Sequence, residues 1–207
     1  MSDDGAPASG MPLAPEEALR AELYGVLAHL FASGPEAQFL RSLAASDAEL
    51  GDAAAPLGAA WRSLKSAADA ADASRVALEH AELFVGTGRA PVSIYASHYL
   101  TETWKEHTLV ELRDQLQALG LARAGGVSQP EDHMAALLEV MRHLALRGDD
   151  NDALAVQAGF FERYLGPWGE RFCGAIEGNA AAEFYCAAAK MLQAFFVVEQ
   201  HGFSLQE

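Results

Sequence analysis

The sequence has almost no cysteine, little positive charge and no long apolar run. Cys173 and Cys186 are its only cysteines. They form no CxxC, and two thiols cannot build a four-thiolate zinc site. Both fall on apolar stretches with helical spacing, where a cysteine behaves as a small buried hydrophobe and suits a reducing compartment. Lysine and arginine total 14 against 29 acidic residues, a formal net charge of -15. That balance repels phosphate, so it excludes nucleic acid as a partner and disfavours an anionic membrane surface. It favours solubility, and among ligands a basic peptide. No apolar run approaches the ~20 residues of a membrane span. The opening segment MSDDGAPASGMPLAPEEA lacks a basic start followed by an apolar stretch, so it reads as no secretory signal and the expected location is cytoplasmic.

Catalytic and metal motifs are also missing. The seven histidines are scattered over separate elements, with no HExxH and no pair four residues apart. His143 and Glu139 have helical spacing, but such pairs are common on helix surfaces. Gly86-Thr87-Gly88-Arg89 lacks the GxxxxGK[ST] pattern, and no buried strand precedes it, so it reads as a connector. No GxSxG elbow occurs. No metal and no catalytic centre are expected.

What the chain does have is apolar content, 51% of its 207 residues, arranged at helical spacing. Residues 1–14, rich in glycine and proline, read as a mobile tail, and 15–207 as one domain. Leu19, Leu23, Val26, Leu27, Leu30 and Phe31 make the first stripe, ended by Ser33-Gly34-Pro35. A second helix carries Phe39, Leu40 and Leu43. A third covers Pro56–Ala70, with Leu57, Trp61 and Leu64 inward. Ser74 is the expected N-cap of a helix over Arg75–Phe84, with Val76, Leu78, Leu83 and Phe84 as its apolar positions. The glycines and the proline of Gly86–Ile94 then forbid a helix. Helical pattern resumes over Ser97–Leu119, with a break expected near His107-Thr108. After a glycine-bearing connection, Gln129-Pro130-Glu131-Asp132 predicts a helix start, its carboxylates complementing the positive helix end. Met134, Leu137, Leu138, Met141, Leu144 and Ala145 form the stripe that follows. Asn151 is expected to cap a helix to Tyr164, and Asn179 the last helix, Ala180–His201. Nothing alternates at period two, so the predicted class is all-α: a compact helical bundle with short connections.

Two groups invite a functional reading. Asp132 and His133 are adjacent and polar, and side chains of neighbouring helical residues point about 100° apart, so they form no mutual pair. The aromatics Phe84, Tyr95, Tyr99 and Trp104 border the irregular loop. They read either as ordinary core or as a groove for an apolar peptide.

At these residues the chain resembles the TorD-like redox-enzyme maturation chaperones, the family of TorD, DmsD and NarJ. Glu82-Leu83-Phe84-Val85-Gly86, running into Pro91, Tyr95, Ser97 and Tyr99, looks like the family's aromatic-x-x-Leu-Phe-x-Gly segment and its proline loop. Gln129-Pro130-Glu131-Asp132-His133 is similar to its Glu-Pro-x-Asp-His signature. Tyr164-Leu165-Gly166-Pro167-Trp168, with Phe184-Tyr185, is a third match, and the resemblance runs from Glu17 to His201. Two positions depart from the pattern: Gln129 replaces the first glutamate, and His80 replaces the opening aromatic.

The resemblance implies a cytoplasmic chaperone of the TorD-like all-helical fold, not an enzyme, acting as a monomer or homodimer without membrane insertion. Its partner would be the precursor of a molybdoenzyme catalytic subunit, held by its N-terminal twin-arginine signal while molybdopterin is inserted and export delayed. The implied contact set is His80, Leu83, Phe84, Gly86, Pro91, Tyr95, Ser97, Tyr99, Gln129, Pro130, Glu131, Asp132 and His133. No cofactor is expected beyond weak guanine-nucleotide binding, which leaves a small nucleotide-dependent enzyme acting through Asp132 and His133 as one alternative. An adaptor for a client without a signal is another.

Overall fold

A computed structural model describes residues 13–52, 55–86, 89–100, 102–121, 130–148 and 151–205. The side chains of 102–108 and 151 lie outside that description, as does most of the 1–14 segment. Among the described residues the chain is helical, and its only extended pairing is a single antiparallel bridge between Tyr95 and His133.

The helices are α1 (Pro15–Ala32), α2 (Ala37–Ala44), α3 (Pro56–Asp69), α4 (Ala73–His80), α5 (Ala96–Tyr99), α6 (Glu102–Ala118), α7 (Met134–Ala145), α8 (Asn151–Tyr164), α9 (Gly166–Glu177) and α10 (Phe184–Ser204). Proline stands in the first turn of α1, α3 and α9, where its missing N–H costs nothing. The longest helix, α10, is apolar on most of its circumference and packs against α3, α9, α8, α4 and α1. Tyr185, Ala188, Ala189, Leu192 and Phe195 of α10 are almost wholly buried.

The main helix pair is α1 with α7. Two contacts show that they run antiparallel. At one end Arg20 reaches Gln157, which in turn donates to the Gly148 carbonyl just past α7. At the other, His80 lies 3.5 Å from the Phe31 carbonyl and close enough to His133, the residue before α7, to influence its charge.

A buried ionic knot, invisible in the apolar pattern, locks α1 to α10. The Arg20 guanidinium donates to Glu199 at 2.8 and 2.6 Å and to Glu17 at 2.6 and 2.7 Å. Tyr24 Oη also donates to Glu199, which is 3% exposed. Burial alone would lower the Arg20 pKa, but the bonds and charges of Glu199 and Glu17 outweigh it and raise it.

Several local expectations need correction. The cap of α4 is Asp72, whose Oδ1 accepts from Arg75 N at 3.0 Å, and not Ser74. Leu78 is 63% exposed rather than inward. The break in the segment after Ser97 falls between α5 and α6, just after Tyr99, and α6 runs unbroken through 107–108. Pro130–Asp132 do not open α7. They form a turn, and α7 begins at Met134 with His133 as its cap. The last helix begins at Phe184, not Ala180. Asn179 instead stabilises the preceding turn by accepting from Ala181 N at 2.9 Å. The N-terminus of α10 is capped from a distance: the Glu79 carboxylate accepts from the amides of Glu183, Phe184 and Tyr185 at 2.8, 3.0 and 2.8 Å. Orphan amides at a positive helix end attract an anion, whichever part of the chain supplies it.

Candidate functional site

The first matched segment begins with an irregular helical turn. After α4 the chain widens into a π turn over Ala81–Val85, closed by Gly86 N donating to Ala81 O at 2.8 Å. Widening the turn lets two successive residues, Leu83 and Phe84, both face the core, at 0% and 6% exposure. Gly86 then reverses the chain with φ of 62°, and a Cβ there would stand 3.0 Å from Ala90 Cα. Only glycine meets both demands. Val92 N donates to Leu83 O at 3.0 Å, which folds the proline loop back onto the turn.

The loop then runs to the second matched segment. Met134 N donates to Ile94 O at 3.0 Å and Ala96 N to Asp132 O at 3.0 Å, framing the Tyr95–His133 bridge. The Asp132 side chain accepts from Ser97 N at 3.0 Å. His133 Nδ1 accepts from Ala135 N at 3.2 Å, capping α7, and the Tyr95 ring meets its imidazole edge-on at 5.3 Å. Two stretches more than thirty residues apart are thereby one structural unit.

Electrostatically the unit is dry. Asp132 and His133 are each 3% exposed and His80 is 8% exposed. Burial first, then the neighbouring His80, press the His133 pKa down to about 4, against the opposing pull of Asp132. Burial also lowers His80. Both imidazoles are therefore neutral at pH 7, and neither offers a cation to a phosphate. Among the described residues no group of three or more His, Cys, Asp or Glu side chains converges to hold a metal ion.

The sequence-derived contact set divides by burial. His80, Leu83, Phe84 and Tyr99 belong to the interior. Phe84 packs with Phe31, Phe172 and Tyr185, and Tyr99 stacks on Trp168 at 5.2 Å while donating to Ser93 O at 2.9 Å. Their aromatic pattern is core, so their main part is to position the loop, and Phe84 reaches the surface only at its edge. Gly86, Pro91, Tyr95 and Ser97 lie in or beside the loop, partly or fully accessible. Pro130 is exposed, and Glu131 is half-buried and held by Arg113 at 3.2 Å. Asp132 and His133 are the buried pins of the turn. Gln129 lies outside the described residues, as does the Trp104 side chain.

Two depressions adjoin this unit. One, of about 680 Å³, is bordered by Phe84, Arg89, Pro91, Ile94, Tyr95 and His98. The other, of about 1050 Å³, runs between α1 and α7 and includes Pro130 and Glu131 at its edge. Sequence reasoning missed this second groove because it followed the large apolar residues. Its signal was the small ones: Ala18, Ala21, Gly25 and Ala32 recur on α1 at spacings of three, four and seven.

Residues 50–174, more than half of the chain, match the sequence model of the nitrate reductase delta subunit family. The chain belongs to that family, in its TorD-like redox-enzyme maturation branch. It is 27% identical to a chaperone protein TorD of Vibrio cholerae over 61% of each chain, so the match spans about three fifths of that relative's length. It is 26% identical to a chaperone protein TorD of Shewanella loihica over 86% of this chain and 90% of the relative. These relatives carry the name of a chaperone, not of an enzyme. Among the described residues no helix is long and apolar enough to cross a membrane.

Proposed function

We propose that this protein is a cytoplasmic maturation chaperone for a molybdoenzyme catalytic subunit. It binds the twin-arginine signal region at the subunit's N-terminus, keeps the subunit open while molybdopterin is inserted, and delays export until folding is complete. The observation that carries this reading is the Tyr95–His133 bridge, which unites the two matched segments beside open surface. A scaffold that spends two buried polar residues on pinning a surface loop is organised to present that loop. The relatives' shared name as chaperones supports the same reading.

The chemistry fits a leader peptide. Its arginines meet a chain of net charge -15, and its apolar stretch meets the half-open surface around Pro91 and Tyr95. Ordering a flexible peptide costs roughly 2–5 kcal/mol, which keeps affinity moderate and release easy.

The test is calorimetric titration of the full chain with a synthetic twin-arginine leader. Binding that weakens in Asp132→Ala and His133→Ala, with helicity retained, supports the reading. Equal affinity in both variants removes the turn from the site.

A further inference from the structure

We propose that the third matched segment, through Trp168 and the nearby Arg171 of α9, sets the proline loop from behind by holding Tyr99 in place. The inference rests on the chaperone reading. It makes Tyr99, Trp168 and Arg171 positioning residues, since none of the three borders the depression beside the loop.

The segment Tyr164–Trp168 builds a platform. Pro167 stands in the first turn of α9, and the Trp168 indole is fully buried, its Nε1 donating to the Tyr164 carbonyl at 2.6 Å. That bond fixes the plane of the ring. Tyr99 stacks on it with ring centroids 5.2 Å apart and planes 21° from parallel, and Phe172 meets Tyr99 edge-on at 6.3 Å. Stacked and edge-on rings have preferred geometries, so two rings of α9 define where Tyr99 lies and how it is turned. Its hydroxyl then donates to Ser93 O at 2.9 Å, and Ser93 borders the depression with Pro91 and Tyr95. Burial pushes the pKa of that hydroxyl up to about 12, so at neutral pH it keeps its proton and donates.

Arg171 is the latch. Its guanidinium donates to the Tyr99 carbonyl and lies over the same ring, 5.5 Å from the centroid. That carbonyl ends α5, a helix of a single turn, whose last carbonyls have no partner within it. A cation satisfies one of them from outside. The chain has 29 acidic residues, yet Arg171 makes no ion pair among the described residues. Its neighbours three and four residues away on α9 are Pro167, Trp168, Gly174 and Ala175, which carry no carboxylate to divert it. The loop is thus braced twice: Asp132 and His133 fix its exit, and Tyr99 fixes the Ser93 carbonyl in its middle. A loop shaped before contact spares a peptide the entropy of ordering it.

The test uses the full chain and a fluorescein-labelled peptide carrying an arginine pair followed by a run of leucine and alanine. Tyr99→Phe removes the hydroxyl and keeps the stack, and Arg171→Ala removes the latch from an exposed position. Each should weaken the peptide about fivefold, while the urea midpoint stays near wild type and hydrogen exchange quickens only across the segment from Pro91 to Tyr99. Arg171→Lys, whose ammonium can reach the carbonyl but has no planar face for the ring, should fall between Arg171→Ala and wild type. If Asp132→Ala weakens the peptide but Tyr99→Phe and Arg171→Ala bind normally, the positioning assignment falls and the chaperone reading stands. An affinity loss that only follows a drop in the urea midpoint marks a structural contact and overturns the assignment too. A wild-type chain that ignores the peptide sinks both.

Discussion

The Asp132 carboxylate accepts the Ser97 amide at 3.0 Å, joining the turn before α7 to the start of α5. Its main-chain carbonyl accepts from the adjacent Ala96 amide, so one residue secures the loop twice. Removing the side chain leaves the second bond and deletes the first.

Asp132→Ala should therefore lower stability by about 1–3 kcal/mol, the cost of stranding a partly buried donor. Asp132→Asn keeps an acceptor and should lose less than half of that. Urea denaturation of the three proteins measures both.

Acid should loosen the same region. The folded-state pKa of His133, about 4, lies below its ordinary 6.5, so between those values the unfolded chain binds more protons. The destabilisation is absent above pH 6.5, accumulates as pH falls toward 4, and levels off below it. Its full size is roughly 3 kcal/mol by linkage, and His80, shifted in the same direction, adds to it. His133→Asn retains a capping acceptor and should flatten most of this slope in stability curves taken between pH 4 and pH 7.

The Arg20 knot should behave as a buried charge network. Arg20→Ala leaves Glu199 and Glu17 facing each other without their cation, and a loss of about 3–5 kcal/mol is expected. Replacing Arg20, Glu17 and Glu199 together by Met, Gln and Leu should cost clearly less than the single change. Chemical denaturation distinguishes the two outcomes.

Glu79 offers a cleaner test of capping through space. Glu79→Ala strips three amides at the head of α10 of their acceptor, and a loss of about 1–3 kcal/mol should follow. Glu79→Gln, which keeps one acceptor oxygen, should fall between. Hydrogen exchange should speed up first at Tyr185.

Leader affinity should fall as salt rises, because a net charge of -15 attracts arginines through a screened field. Titrations from low to physiological ionic strength check this, and a flat profile would argue against arginine recognition.

Much of the helical order was readable in advance. Large apolar residues at helical spacing gave α1 and α3 nearly to the residue, and the apolar stripe from Met134 to Ala145 is buried throughout although α7 starts later than expected. Proline and glycine marked the ends because their backbone restrictions act locally, whatever surrounds them. Caps were less readable. Asp72 outbid Ser74 for the head of α4, a choice between near neighbours that spacing cannot rank. The turn at Pro130–Asp132 looked like a helix start because its residues suit one, yet the pairing with Ile94 and Ala96 holds it out of α7.

The chain's own order of residues determined its helical class, its acidic character and the three segments that mark its family. Those properties follow from local backbone preference and from summed composition, and they need no knowledge of neighbours. The folded packing alone decided that Leu83, Phe84 and Tyr99 are interior, that His133 is held neutral beside His80, and that Glu79 serves a helix over a hundred residues away. It also left a groove of small residues open between α1 and α7. Burial, charge coupling and cavities depend on which surfaces meet, and that is settled only when distant segments come together.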